Sequence, residues 1–281
     1  MNKIMITLLT VVAAMAGELS NTTPLSAQPN WLTKSKKTSV TLELIKPNFD
    51  GDADLTLATT VLFLSARGPV SETTRIVVEF PIAHVGFVKL NDLVEETLLG
   101  NPYFGFEFGL SDSPTFFELG LRLPLAPDDK EFASSIGILS DFERLEAFDP
   151  DLLMFTGKVN YQQRYASNIV FRLRVGPSLW VFGSDEEDDP EDEIWLDYST
   201  QVGYESDSFS VLGGLTGSYW VTQGDDDLID RTVHQLGVAA SLVYGKLRPG
   251  VHFRLPLNSG DDAILAGLDF VFGLSLGVQF D

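Results

Sequence analysis

The chain has 281 residues and no cysteine, and its 40 acidic against 19 basic side chains give a formal net charge of -21 at pH 7. The missing thiols exclude disulfides, thiol catalysis and thiolate metal sites. The acidic balance excludes nucleic acid as a partner, because phosphate binding needs clustered Lys and Arg.

Lys3 followed by the apolar run Ile4 to Ala16 reads as a secretory signal, too short to span a bilayer as a helix. Cleavage is expected after Ala27, in the Ser26-Ala27-Gln28 context, or alternatively after Ala16. The signal is then residues 1–27 and the mature chain residues 28–281, a length that suits one large all-β domain or two small ones. No later run of about 20 apolar residues is present to form a membrane helix.

From there the chain breaks into about twelve segments of alternating polarity. They lie near Thr38 to Lys46, Leu55 to Ala66, Thr73 to Phe80, Tyr103 to Leu110, Thr115 to Leu123 and Thr156 to Tyr165. The second half continues near Asn168 to Phe182, Ile194 to Tyr204, Phe209 to Val221, Arg231 to Tyr244, Leu247 to Leu255 and Leu265 to Phe280. Turns after the even segments are short, as at Ala166-Ser167 and Gly245-Lys246, whereas Ala83 to Asn101, Pro124 to Phe155 and Gly183 to Glu193 are long. Sorting of short and long connections is the plan of an up-and-down outer-membrane barrel, with termini at the short-turn, periplasmic end and long loops extracellular. A Greek-key sandwich has no reason to sort its loops this way. Pro81, Pro124 and Pro256 then fall at one end, where ladder pairing stops.

Apolar sets such as Phe104, Phe106 and Phe108 face one way, and charged residues the other. Side chains could not fill a twelve-stranded barrel with a wholly apolar interior, so the apolar face is expected outward, in lipid. The inward charged set comprises Glu43, Arg75, Glu79, Glu107, Glu118, Arg122, Lys158, Arg164, Arg172, Arg174, Asp197, Arg254 and Asp269. Glu79, Glu107, Glu118, Arg122, Arg172, Arg174 and Arg254 are the candidate pore-lining residues. Their charges either bias the solutes that pass or pair into a plug that conducts little. Tyr103, Phe104, Trp180, Phe182, Tyr219 and Trp220 are expected at the long-loop bilayer boundary.

Two long loops carry helical signals. In Leu90 to Gly100, Asp92 and Glu95 have capping-box spacing and Gly100 can end a short helix. From Glu131 to Phe148, residues Phe132, Ile136, Leu139, Phe142 and Leu145 recur at helical spacing, giving an amphipathic helix that folds into the mouth as a constriction or lies over the rim. Acid concentrates at the same end, in Asp185 to Glu193, Asp225 to Asp227 and Asp261-Asp262. Asp50, Asp52 and Asp54 have hard-oxygen spacing without the downstream EF-hand pattern, so no metal or other cofactor is assigned. The histidines His84, His234 and His252 sit in no metal-ligand pair or nucleophile-elbow string, and no enzyme is expected.

Leu268 to Phe280, apolar at every second position with Phe280 beside the carboxyl end, resembles the terminal recognition strand of bacterial outer-membrane β-barrels. The resemblance implies outer-membrane lipid and the barrel-assembly machinery as partners. The string Asn101-Pro102-Tyr103-Phe104-Gly105 with Gly109 is similar to segments of uncharacterised barrels grouped with transporter-like proteins of aromatic-degradation pathways. That resemblance implies uptake of small, often hydrophobic molecules. The expected protein is therefore an all-β, antiparallel up-and-down transmembrane barrel of about twelve strands with short helices in its long loops. Its expected function is passive passage of small solutes. The alternative is a non-conducting barrel whose acidic loops engage divalent cations, surface lipid or a partner.

Overall fold

The computed structural model describes residues 38–49, 59–89, 92–109, 113–183, 192–222, 231–257 and 267–280. Its strands are β1 (Thr38–Phe49), β2 (Thr60–Pro69), β3 (Thr74–Lys89), β4 (Asp92–Leu99), β5 (Tyr103–Gly109), β6 (Thr115–Arg122) and β7 (Leu152–Arg164). They continue as β8 (Ile169–Phe182), β9 (Glu193–Glu205), β10 (Phe209–Trp220), β11 (Thr232–Leu242), β12 (Leu247–Pro256) and β13 (Leu268–Phe280). Neighbours pair antiparallel in chain order, and β1 pairs with both β2 and β13, so the sheet closes into a barrel. β4 and β5 lie end to end along one edge of β3, which pairs with β4 through residues 82–89 and with β5 through residues 74–79. The thirteen strands therefore make twelve staves, the number predicted.

Alternation sets the two faces. Phe117 and Leu119 on β6 are 55% and 57% exposed, while Glu118 between them is 3% exposed. In water that arrangement would be inverted; it is the pattern of a barrel whose outer solvent is hydrocarbon. Between staves, the β7–β8 turn holds Asn168 at φ 62° and the β11–β12 turn holds Gly245 at φ 58°, residue types that tolerate the left-handed region.

Several expectations are corrected. Leu90 to Gly100 is not a capped helix: Asp92–Leu99 extends as β4, because the long β3 offers an unpaired edge whose backbone groups need partners. The Glu131 to Phe148 helix is broken in two, into α1 (Glu131–Ser140) and a 3-10 segment (Phe142–Ala147). Asp141, at φ -137° and ψ 88°, interrupts it, its carboxylate accepting from the Glu143 amide at 3.2 Å. A register shift opposite Asn48/Phe49 turns Leu268 inward, where it is buried, and leaves Asp269 exposed and bonded to Asn48 at 3.2 Å. Tyr103, Trp180 and Trp220 face the interior rather than the lipid boundary. Trp180, Trp195 and Trp220 stack in a row on β8, β9 and β10, with ring centroids 5.1 and 5.2 Å apart. Residues 1–27, Asp50, Asp52, Asp54 and most of the acidic runs lie outside the described residues.

Candidate functional site

The β6–β7 connection runs into the barrel rather than over its rim. α1 packs against β1 to β4, turning a face of small residues, Ala133, Ser134, Gly137 and Ser140, to the interior. Of the predicted constriction residues, Phe142 is buried at the start of the 3-10 segment, and Ile136 and Leu139 pack beside the core cluster. Phe132 is 53% exposed and tilts against Phe87, with centroids 5.0 Å apart. Phe148 and Phe142 join Ile45, Phe63, Leu98 and Val271 in one internal apolar cluster.

The break between β4 and β5 is the seat of this loop. Asn101, fully buried, donates from Nδ2 to the carbonyls of Glu146 (3.1 Å) and Asp149 (2.6 Å) and accepts at Oδ1 from the amides of Leu125 and Ala126, both at 2.7 Å. Its own amide donates to the Ala147 carbonyl at 2.7 Å. At Gly100 a Cβ would collide with the Ala147 carbonyl oxygen, so only glycine lets the loop approach this closely. The sequence string resembling other barrels thus has a local cause in this fold: it interrupts a stave to hold a loop.

Charge locks the loop from the other side. Arg144 donates to Glu79 on β3 at 3.0 Å, to Glu43 on β1 at 2.7 Å and to Asp141 beside it, with its guanidinium 3.4 Å from the centroid of the Phe63 ring. Arg254 on β12 donates to Asp141 at 2.5 Å, and Arg122 on β6 bonds Glu79 at 3.1 Å and lies 3.4 Å from Glu146. The loop therefore bridges β1, β3, β6 and β12 across the lumen. Burial alone would raise the Asp141 carboxyl, but the guanidiniums of Arg144 and Arg254 outweigh it and hold the group below its ordinary value, ionised. Asp149, where the loop leaves the lumen, is instead pushed up to about 6 by burial and by the charges of Glu193, Glu146 and Asp151.

All seven candidate pore residues face inward, and every one is ion-paired. Glu79, Arg122 and Arg254 belong to the cluster around the loop. Glu107 pairs with buried Arg67, Glu118 with Arg174 at 2.9 Å and Arg172 with Glu205. Lys158 and Asp197 pair at 2.8 Å. Among the described residues Arg174 lines cavities of about 60, 20 and 10 Å³; the 60 Å³ one lies against the loop, between Glu143, Arg144 and Glu146 and the inward side chains Ser65, Glu79, Glu118, Arg122 and Lys158, and the 20 Å³ one touches Phe142 and Glu143. His84 bonds Thr97 at 2.8 Å and His234 bonds Tyr198 at 2.5 Å, both on the outward face, while His252 lies inside, 3.6 Å from Glu43.

Sequence reasoning missed Asn101, Asp141, Arg144 and Arg67 as members of this site. Arg67 has the same strand parity as inward Phe63 and Ser65, a signal that would have found it. Asp141 and Arg144 lie on no strand, so parity says nothing of them, and their partners Arg254 and Glu43 are 113 and 101 residues away in the chain.

No protein-family description matches the chain, and no characterised protein matches it in sequence. Solved structures share its fold. An outer-membrane channel from Pseudomonas putida superposes with a TM-score of 0.60 at 11% identity, covering 91% of this chain and 100% of that one. LpxR from Salmonella typhimurium gives 0.51 at 11% identity, covering 86% and 100%. The translocator domain of the autotransporter NalP from Neisseria meningitidis gives 0.51 at 8% identity, covering 99% and 95%. At these identities the likeness establishes the fold, that of a bacterial outer-membrane barrel.

Proposed function

We propose that this barrel sits in the bacterial outer membrane, long loops outward and termini in the periplasm, and lets small solutes cross passively through a lumen narrowed by its own β6–β7 loop. The apolar outer face supports the membrane, and the shared fold with an outer-membrane channel supports passage. One observation carries the reading: space remains between the docked loop and the barrel wall. The loop is anchored to β1–β4, β6 and β12, and where its Phe142–Glu146 stretch meets the β6–β10 side the described residues leave cavities that Arg174 lines. Glu79, Glu118, Arg122, Arg172 and Arg174 would line the remaining path, with Phe142 at its edge. Glu107 and Arg254 would hold its walls and plug, and Ile136 and Leu139 would seat the constriction.

The chemistry proposed is transport without catalysis, with no cofactor. Membrane lipid contacts the outer face, and the assembly machinery engages β13, whose outward Phe272, Leu274, Leu276 and Phe280 are exposed apolar residues. The density of ion pairs favours a second reading, a sealed structural barrel that acts through its outer loops. Osmotic swelling of vesicles holding the refolded mature protein separates the two. Swelling with small solutes, in protein whose gel mobility shifts on heating, supports the channel. Vesicles as tight as protein-free ones, before and after the Arg144→Ala change, support the sealed barrel.

A further inference from the structure

One stretch of the outer wall departs from the apolar pattern around it. On β1 to β4 the pairing register sets the outward residues in rows that climb from the short-turn end. Leu42, Leu64 and Phe80 form one row, and Leu44, Leu62, Ile82 and Leu99 the next. The row above is polar: Thr60 pairs with His84 and His84 with Thr97, and the next step of the β1–β2 register sets Lys46 beside Thr60. Among the described strand side chains Lys46 is the one Lys or Arg that faces outward. Its ammonium donates to the Thr59 carbonyl at 3.0 Å, and His84 Nδ1 bonds Thr97 Oγ1 at 2.8 Å.

Depth gives the row its surroundings. Lys46 is eight residues above Thr38, which pairs with Phe280 at the short-turn end. That is about 27 Å along the strand and about 20 Å along the membrane normal at a tilt of ~40°. The apolar band of such barrels is about 25 Å tall, so a lysine here reaches its far edge, where lipid headgroups begin. On β11 the same count from Leu242 arrives at His234, bonded to Tyr198 at 2.5 Å. A phenol and an imidazole meet each other at that boundary, whereas β1 to β4 present a cation.

One row further out the sign changes. Glu95, opposite Gly86, is exposed, and Asp269, also exposed, accepts from Asn48 Nδ2 at 3.2 Å. Towards the long loops the patch therefore reads apolar, then cationic with hydroxyls, then anionic. A phospholipid with a primary ammonium presents the complementary order of acyl chain, phosphate and ammonium. Ammonium, hydroxyl and imidazole groups can all donate to one phosphate, which accepts several bonds at once. Rows two residues apart lie about 7 Å from each other along a strand, a span that an ethanolamine headgroup bridges with a hydrogen bond at each end. A free anion gains nothing from the leucine rows, and an anionic lipid without the ammonium sets its charge against Glu95 and Asp269.

We infer that Lys46, Thr60, His84 and Thr97, with Glu95 and Asp269 beyond them, form a site for a phospholipid headgroup made of a phosphate and a primary ammonium, at the long-loop boundary of the membrane. The inference rests on the outer face meeting a bilayer and is independent of whether the lumen conducts.

The test uses the refolded mature chain. Flotation with phosphatidylcholine vesicles first shows it embedded. Native mass spectrometry from neutral detergent then compares dioleoyl phosphatidylethanolamine, dioleoyl phosphatidylglycerol, which has the phosphate without the ammonium, and dioleoylglycerol, which has neither. The ethanolamine lipid should be retained about tenfold more tightly than phosphatidylglycerol, the ratio expected of one charge-assisted hydrogen bond, with dioleoylglycerol weakest. Lys46→Gln should weaken both phospholipids about tenfold and Glu95→Gln should close the gap between them. Lys246→Gln, in the exposed β11–β12 turn, should change neither. Heat-shifted mobility reports the folding of each variant; where Lys46→Gln fails it, because Lys46 also holds the Thr59 carbonyl, Glu95→Gln carries the readout. Phosphatidylglycerol retained as tightly as the ethanolamine lipid, a gap that survives Glu95→Gln, or Lys246→Gln acting like Lys46→Gln overturns the site and leaves the barrel in its membrane. Protein that does not float removes the membrane reading and the site with it.

Discussion

Truncating Arg144 to alanine tests how the loop is held. The side chain bonds Glu43, Glu79 and Asp141 while lying over the Phe63 ring. Without it Glu79 keeps Arg122 and Asp141 keeps Arg254, but Glu43 is left facing His252 at 3.6 Å. Breaking a buried ion pair from one side costs about 3–5 kcal/mol, because a charge stays buried without compensation. The staves are held by their own ladders, so the cost falls on loop docking. The opposing term is burial of Phe142 and Phe148, each contributing about 1.5–3 kcal/mol. The two are comparable, and the docked loop becomes marginal. Leu145 packs against the cluster containing Trp180, Trp195 and Trp220, so undocking wets those indoles. The expected result is red-shifted tryptophan emission with a rise in bilayer conductance, while heat-shifted gel mobility shows the barrel intact. Arg144→Lys, which keeps the charge but loses the planar fork, should fall between wild type and alanine. Unchanged emission and conductance in folded Arg144→Ala protein would refute the hub as the loop's anchor.

Three further outcomes check other parts of the account. Leu274→Arg, midway along the outward face of β13, should cost about 2–4 kcal/mol in urea unfolding from lipid vesicles; an unchanged unfolding midpoint would mean that this face does not meet hydrocarbon. Gly120→Ala should destabilise by about 1–3 kcal/mol, because its Cβ would strike the Tyr103 ring that bonds Glu118 at 2.7 Å, and a neutral result would show that the ring has room to move. Asp149 has a raised folded-state value, so its contribution to stability is fully present below its ordinary 3.8 and is lost as pH rises through about 6. Asp149→Asn should therefore raise the thermal midpoint at about pH 8, with the gap closing by about pH 3; a gap independent of pH would contradict it.

The sequence displayed the staves well because a closed barrel writes its two solvents into every second residue. Phe104, Phe106 and Phe108 against Glu107 carry that signal without help from distant residues. It was weaker where tertiary structure overrides local pattern. Asp92 and Glu95 have the spacing of a helix cap, yet the free edge of β3 draws the segment into a strand. Trp180 was placed by its position near a strand end, although it shares parity with Arg172 and Arg174, and parity is what puts it inside. The site itself was half visible. Its wall charges follow from alternation, whereas Arg144 and Asp141 act from a loop whose course into the lumen depends on Asn101 and on partners far along the chain.

On the proposed reading the β6–β7 loop constricts a path that otherwise conducts. Single-channel recording compares the refolded mature protein with a form lacking Phe132 to Phe148, both verified by heat-shifted mobility. The intact barrel should conduct little, with a large, steady increase once the loop is gone. Silence from both forms would contradict it and assign the lumen to structure alone.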